Sequence, residues 1–248
     1  MRIAMIGAGY VGLVSGACLA DFGYEVVCVD TDEHKIAALR AGRVPIYEPG
    51  LSELVLANQA ARRLSFTTSL KEAGRGAKAI FIAVGTPSLA EVGSADMHFV
   101  YDAARAIAEV VEDFTVVVVK STVPIGAGDE VERIIGERQP RDRFAVVSNP
   151  EFLREGAAIK DFKQPDRVVI GVDDERARAV MGTIYQPMER VGCQMIYTSR
   201  RSSEMIKYAA NVFLAMKVTF INEIADLCGR PEKPKSGAVV SRTFQADC

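Results

Sequence analysis

No run of five or six consecutive basic residues occurs in the 248-residue chain, and the formal net charge is only −2. This argues against nucleic acid or an anionic membrane surface as the main partner. Long apolar runs are missing too. The longest, such as FTVVVV at 114–119, falls far short of the ~20 residues that span a bilayer. Histidine is scarce. His34 and His98 stand far apart with no cysteine beside them, which makes them ordinary surface or loop residues rather than metal ligands. The five cysteines, Cys18, Cys28, Cys193, Cys228 and Cys248, are odd in number and never at C-x-x-C spacing. A disulfide framework and a zinc site are both disfavoured, no metal is expected, and a reducing cytoplasm fits.

Apolar residues, in contrast, make up 49% of the chain, enough for a well-filled core in one large domain or two small ones. The opening MRIAMIGAGYVGLVSGACLA imitates a secretory signal, but glycines at 7, 9, 12 and 16 and the apolar EVVCVD that follows argue against that reading. Strands are expected at 2–6, 25–29, 79–84, 115–119, 144–147 and 167–170. They are nearly continuous in Val and Ile, as strands buried on both faces are. Helices are expected at 10–22, 33–41, 97–111 and 174–185. The alternation predicts an α/β fold, a Rossmann-type doubly wound, mostly parallel sheet with helices on both faces. A last long helix is expected from about 202 to 228, with Ser202 or Ser203 as its cap and Glu204 in its first turn. It is apolar around much of its circumference and so expects partners on more than one side.

IGAGYVG places G-x-G-x-x-G at Gly7, Gly9 and Gly12, after a strand and before a helix. Gly7 permits the tight turn, Gly9 admits a pyrophosphate to the backbone, and Gly12 lets the helix lie close to the sheet. The amides around Tyr10 and Val11 then point at the phosphates. The second strand ends in Asp30, which suits the adenosine ribose hydroxyls and repels a 2′-phosphate, so NAD is favoured over NADP; another ligand such as FAD is the alternative. Lys35 lies near the ribose edge or is a solvated helix lysine. Thr86 in VGTPS and Thr122 in KSTVPIG follow later strands, where they bond a cofactor or cap the next helix.

In SNPEFLREG, Glu151 and Glu155 are four apart, which a helical turn would stack on one side. Such a pair suits acid–base work, a metal, a glycosidase, or merely a solvated helix start. Its place after a strand favours function. On the long helix Lys207 and Asn211 are again four apart, with Asn222 eleven further on. A partly desolvated lysine there polarises a hydroxyl; the plainer alternative is a lysine snorkelling to solvent.

Together, the first 54 residues with their YEPGL, then VGTPS, STVPIGAG, NPEFLREG and EMIKYAANVFLAMKVTFINEIADLC, resemble the UDP-glucose/GDP-mannose dehydrogenase family, from Met1 to about Cys228. YEPGL and NPEFLREG are specific to nucleotide-sugar dehydrogenases rather than to dinucleotide-binding folds at large. The resemblance implies NAD-dependent, four-electron oxidation of UDP-glucose to UDP-glucuronate. Other nucleotide sugars (a UDP-amino sugar, GDP-mannose) and a non-catalytic NAD-binding module remain alternatives. It further implies catalytic roles for Thr122, Glu151, Lys207 and Asn211. It places Gly7, Gly9, Tyr10, Val11, Gly12, Asp30, Lys35, Thr86, Thr122 and Glu155 at the cofactor, and Glu151, Phe152, Leu153, Arg154, Glu155, Lys207 and Asn211 at the sugar nucleotide. A homodimer through the long helix is the expected assembly. Beta-hydroxyacid dehydrogenases share a K-x-x-x-N helix, but YEPGL and NPEFLREG point to nucleotide sugars.

The resemblance also implies a second nucleotide-binding domain with a G-G-x-C-x-P-K-D segment, whose cysteine traps the aldehyde. No counterpart occurs here. The expected division is a NAD-binding domain at 1–198, a connecting helix at 199–228 and an atypical tail at 229–248, as a frameshift, truncation or short form would give.

Overall fold

The computed structural model describes residues 1–87 and 95–228. The chain divides into a compact unit, Met1–Met205, and a second unit from Ile206 onward. The first unit holds eight strands: β1 (Arg2–Ile6), β2 (Glu25–Val29), β3 (Leu64–Thr67), β4 (Ala79–Ile82), β5 (Thr115–Val119), β6 (Phe144–Ser148), β7 (Arg167–Gly171) and β8 (Gln194–Thr198). They form one sheet in the order β3-β2-β1-β4-β5-β6-β7-β8. All neighbours are parallel except β6 and β7, which meet antiparallel at Ser148 and Gly171.

The Val- and Ile-rich strands serve two cores at once. Ile3, Met5, Cys28, Phe81, Val116, Val118 and Val147 face one cluster. Ala4, Val27, Ile80, Ile82, Val117, Val119 and Val146 face the other. Alternation of side chains across a strand thus yields two buried faces, which is why these segments carry no polar alternation. Helices α1 (Tyr10–Asp21), α2 (Glu33–Arg40), α3 (Leu51–Ala60), α7 (Ala158–Lys163) and α8 (Glu175–Glu189) supply the first cluster. Helices α4 (Leu70–Gly74), α5 (His98–Ala108) and α6 (Ala127–Gly136) supply the second.

Several expected boundaries move. Helix α8 does not stop near residue 185 but runs on through Pro187 to Glu189. The ring of a proline deprives the carbonyl four residues earlier of its partner. Here that carbonyl is Thr183's, and it accepts instead from the Tyr24 hydroxyl at 2.6 Å. The long helix, α9 (Arg200–Leu227), begins two residues before the expected start. Neither Ser202 nor Ser203 caps it: the Ser199 hydroxyl accepts from the Ser202 amide at 3.2 Å. Glu204 does not serve its own helix start either. It is buried and accepts from the amides of Gly126 (2.6 Å) and Gly128 (2.9 Å) and from the Ser148 hydroxyl (2.9 Å). A carboxylate from α9 therefore caps α6, satisfying amides that every helix N-terminus leaves bare. Arg200 reinforces the junction with bonds to Asp129 (2.9 Å) and Glu132 (2.8 Å) on α6.

From Ile206 onward α9 continues as a single rod. Val212, Phe213, Met216 and Phe220 are exposed along it. The proposed tail at 229–248 lies outside the described residues. Among the described residues no helix is long and apolar enough to cross a membrane.

Candidate functional site

The strand order reverses between β1 and β4, and an open parallel sheet binds ligands beyond the carboxyl ends of its strands at such a point. The glycine turn follows β1 there. Gly7 has φ +99°, and a Cβ on it would stand 2.5 Å from the Ala83 carbonyl oxygen. A Cβ on Gly12 would lie 1.9 Å from the Gly7 carbonyl oxygen, so neither site accepts a side chain. Gly9 differs. A Cβ there would meet nothing within 4 Å, and Gly9 precedes α1 without any side-chain cap. Helix α1 thus opens, at Tyr10 and Val11, beside clear space of the kind a diphosphate needs.

Asp30 ends β2 next to this turn. Its carboxylate accepts from the Ala8 amide (2.9 Å), the Asp32 amide (3.1 Å) and Lys35 Nζ (2.8 Å). Burial alone pushes the carboxyl up, but the hydrogen bonds from Lys35 and the two amides, with the lysine's charge, hold it below the usual aspartate range. Lys35 is therefore an ion-pair partner of Asp30, where the sequence left its role open.

The loops after β4, β5 and β6 leave the same end of the sheet further along. Thr86 donates to the Thr122 carbonyl at 2.9 Å, and Ser121 donates to the Val84 carbonyl at 2.7 Å, so VGTPS and KSTVPIG are tied to each other. Thr122 is half-buried. Glu151 is half-buried and accepts from the Leu153 amide at 2.6 Å, while Glu155 is exposed. The expected helical stacking of Glu151 on Glu155 is not found. Residues 151–154 are loop and 155–157 a turn, and the Glu151 side chain takes up a local backbone amide instead of facing Glu155 across a helical turn. Phe152 lies under the Arg167 guanidinium at 5.6 Å, and Leu153 packs on the first core cluster. Arg154 clasps Asp161 through three bonds of 2.6–3.0 Å. Lys207 (buried) and Asn211 (exposed) lie in the second unit, one turn apart on α9.

Two groups went unseen in the sequence. The first is Glu48 of YEPGL, only 5% exposed, which accepts from Tyr10 Oη (2.5 Å) and from the amides of Gly156 (2.8 Å) and Ala158 (2.9 Å). The second is Lys120, buried at the end of β5, whose Nζ donates to Asn149 Oδ1 at 3.2 Å and stands 5.7 Å from the Phe162 ring. The Tyr185 hydroxyl donates to the same Asn149 oxygen, and Asn149 Nδ2 donates to the Val169 carbonyl at 2.9 Å. A lysine directly after VVVV was the available sign of the second; the YEPGL motif was the sign of the first, though it gave Glu48 no role.

Residues 1–189 match the sequence model of the UDP-glucose/GDP-mannose dehydrogenase family, NAD binding domain, and residues 201–233 match that of the family's central domain. The chain belongs to the UDP-glucose/GDP-mannose dehydrogenase family. It therefore carries the family's NAD-binding domain, and NAD is its cofactor. The chain is 63% identical to UDP-glucose 6-dehydrogenase of Rhizobium meliloti, over 92% of this chain and 53% of that protein. It is 49% identical to UDP-glucose 6-dehydrogenase TuaD of Bacillus subtilis, over 92% of this chain and 49% of that protein. The chain thus spans about half the length of the curated relatives it matches. Among solved structures, a UDP-glucose dehydrogenase from Pyrobaculum islandicum superposes with a TM-score of 0.86 at 43% identity, covering 90% of this chain and 52% of that one. A GDP-mannose dehydrogenase from Pseudomonas aeruginosa gives 0.86 at 38%, covering 91% and 52%.

Proposed function

We propose that this chain supplies the NAD-binding half of an enzyme that oxidises UDP-glucose to UDP-glucuronate. The observation that carries the reading is that, at the carboxyl end of one sheet, the open glycine turn beside Asp30 meets the loop bearing Glu151, where Tyr10 Oη reaches the Arg154 carbonyl at 3.4 Å. NAD, when bound, supplies the acceptor for the electron pair leaving the sugar carbon. Gly9 and the amides of Tyr10 and Val11 hold its diphosphate, and Asp30 holds the adenosine ribose. Thr86 and Thr122 line the cofactor, and Glu155 reaches it. Thr122 and Glu151 orient a water, and Glu151 takes the hydroxyl proton. Lys207 stabilises the developing alkoxide and Asn211 assists it, roles taken from the family resemblance of the K-x-x-x-N segment. Phe152, Leu153 and Arg154 shape the sugar-nucleotide side.

The second oxidation calls for a nucleophilic thiol. Burial pushes Cys18 and Cys28 up to about 12 and raises Cys193 as well, so these three stay protonated and inert at neutral pH. Cys228 is exposed, but its flanks do not match the G-G-x-C-x-P-K-D segment, so the 248-residue polypeptide should bind NAD yet make little or no UDP-glucuronate from UDP-glucose. Following NADH fluorescence tests this, and steady NADH formation by the purified polypeptide would refute it.

A second reading rests on α9. Its exposed Val212, Phe213, Met216 and Phe220 form an apolar strip that is costly in water, which supports a homodimer through this helix. The described cysteines are unpaired, which supports a cytoplasmic setting.

A further inference from the structure

We propose that Glu48 is a positioning residue that couples the cofactor turn to the loop bearing Glu151 and Glu155. The inference rests on the reading above that the start of α1 faces the dinucleotide. Tyr10 is the first residue of α1, so its backbone belongs to the glycine turn. Its hydroxyl ends 2.5 Å from Glu48 Oε2 and 3.4 Å from the Arg154 carbonyl. One short, stiff side chain thus spans from the turn to the reaction loop.

The loop's backbone is held by side chains rather than by a ladder of its own: the Leu153 amide donates to Glu151 (2.6 Å) and the Arg154 amide to Asp161 (3.0 Å). Residues 151–154 belong to no helix or strand, and Gly156 sits at φ +83°. Both the Gly156 amide (2.8 Å) and the Ala158 amide (2.9 Å) donate to Glu48. Oε2 is shared between the Tyr10 hydroxyl and the Gly156 amide, so displacement of the ring disturbs the loop bond directly. Glu48 itself is anchored: its carbonyl accepts from the Leu51 amide at 3.1 Å, at the start of α3. A carboxylate is the required group. It accepts from all three donors, whereas a glutamine would set an N–H against one of them. Ligand clamped on the amides of α1 fixes Tyr10, Tyr10 fixes Glu48, and Glu48 fixes the loop before the sugar nucleotide arrives.

Amide-resolved hydrogen exchange tests the coupling, with the whole chain measured without and with saturating NAD. In the wild type, exchange at Gly156 and Ala158 should slow about tenfold on addition of NAD. In Tyr10→Phe, at its own saturating NAD, that ratio should fall to near one, while amides of the central strands β5 and β6 stay protected. An equal NAD-induced slowing in wild type and Tyr10→Phe would overturn the coupling and leave Glu48 a static staple. Binding of NAD to the wild type with no change at these two amides would overturn it without touching the proposed function. No calorimetric heat with NAD would overturn both.

Discussion

At the scale of single residues the glycine turn separates folding from binding. Gly9→Ala adds a methyl group where nothing lies within 4 Å, at φ −79°, which alanine tolerates. It should leave stability within about 0.5 kcal/mol by thermal melting and weaken NAD at least about tenfold by calorimetry. Gly12→Ala places its methyl 1.9 Å from a backbone oxygen and should cost about 3 kcal/mol or more of folding stability. Asp30 gives the acid-side test. Its folded pKa lies below the unfolded one, so its contribution is present above the ordinary aspartate range and is lost as pH falls through the depressed folded value. Melting temperature followed from pH ~5 to ~2 should therefore fall more steeply in wild type than in Asp30→Asn. The same substitution should weaken NAD about tenfold at neutral pH, since hydrogen bonds to a charged group contribute about 1.5–3 kcal/mol. The glycines and Asp30 were legible in the sequence because their roles are local: a turn, a close approach, an acid at a strand end. Glu48 was not, because its three donors come from positions 10, 156 and 158.

At the scale of elements, the strands that read most clearly are those whose residues are buried throughout, such as β5. Strands β3 and β8 were missed. They are the two edges of the sheet, where burial is incomplete: LSFT carries an exposed serine, and QMIYT is nowhere fully buried. Helices α3 and α6 were missed for another reason. Both start after a glycine in the left-handed region, Gly50 and Gly126, with no side-chain cap, so the usual Ser, Thr, Asp or Asn start signal is missing. For α6 the cap arrives from Glu204, 76 and 78 residues along the chain from the two amides it serves. Glu204→Ala should cost about 2–4 kcal/mol by denaturant unfolding, because two amides and the Ser148 hydroxyl lose their acceptor. Glu204→Gln should recover part of that loss.

At the scale of the whole molecule, the exposed apolar strip on α9 is the feature that bears on assembly. Sedimentation of the purified chain should show a dimer, and Phe213→Glu with Phe220→Glu should shift it to monomer with the sheet unit still folded. The fold class, the glycine turn and the family were all readable in the sequence. Alternating runs of apolar strand and helix, and a glycine spacing set by backbone sterics, depend on neighbours in the chain, and neighbours are what a sequence displays. What holds the site together is different in kind. The Glu48 latch, the Glu204 cap, the Tyr24 bond that lets α8 pass its proline, and the buried Lys120–Asn149–Tyr185 group each join residues distant in the chain. A buried polar atom must find a partner wherever folding brings one near, so those pairings existed only once the chain had closed on itself.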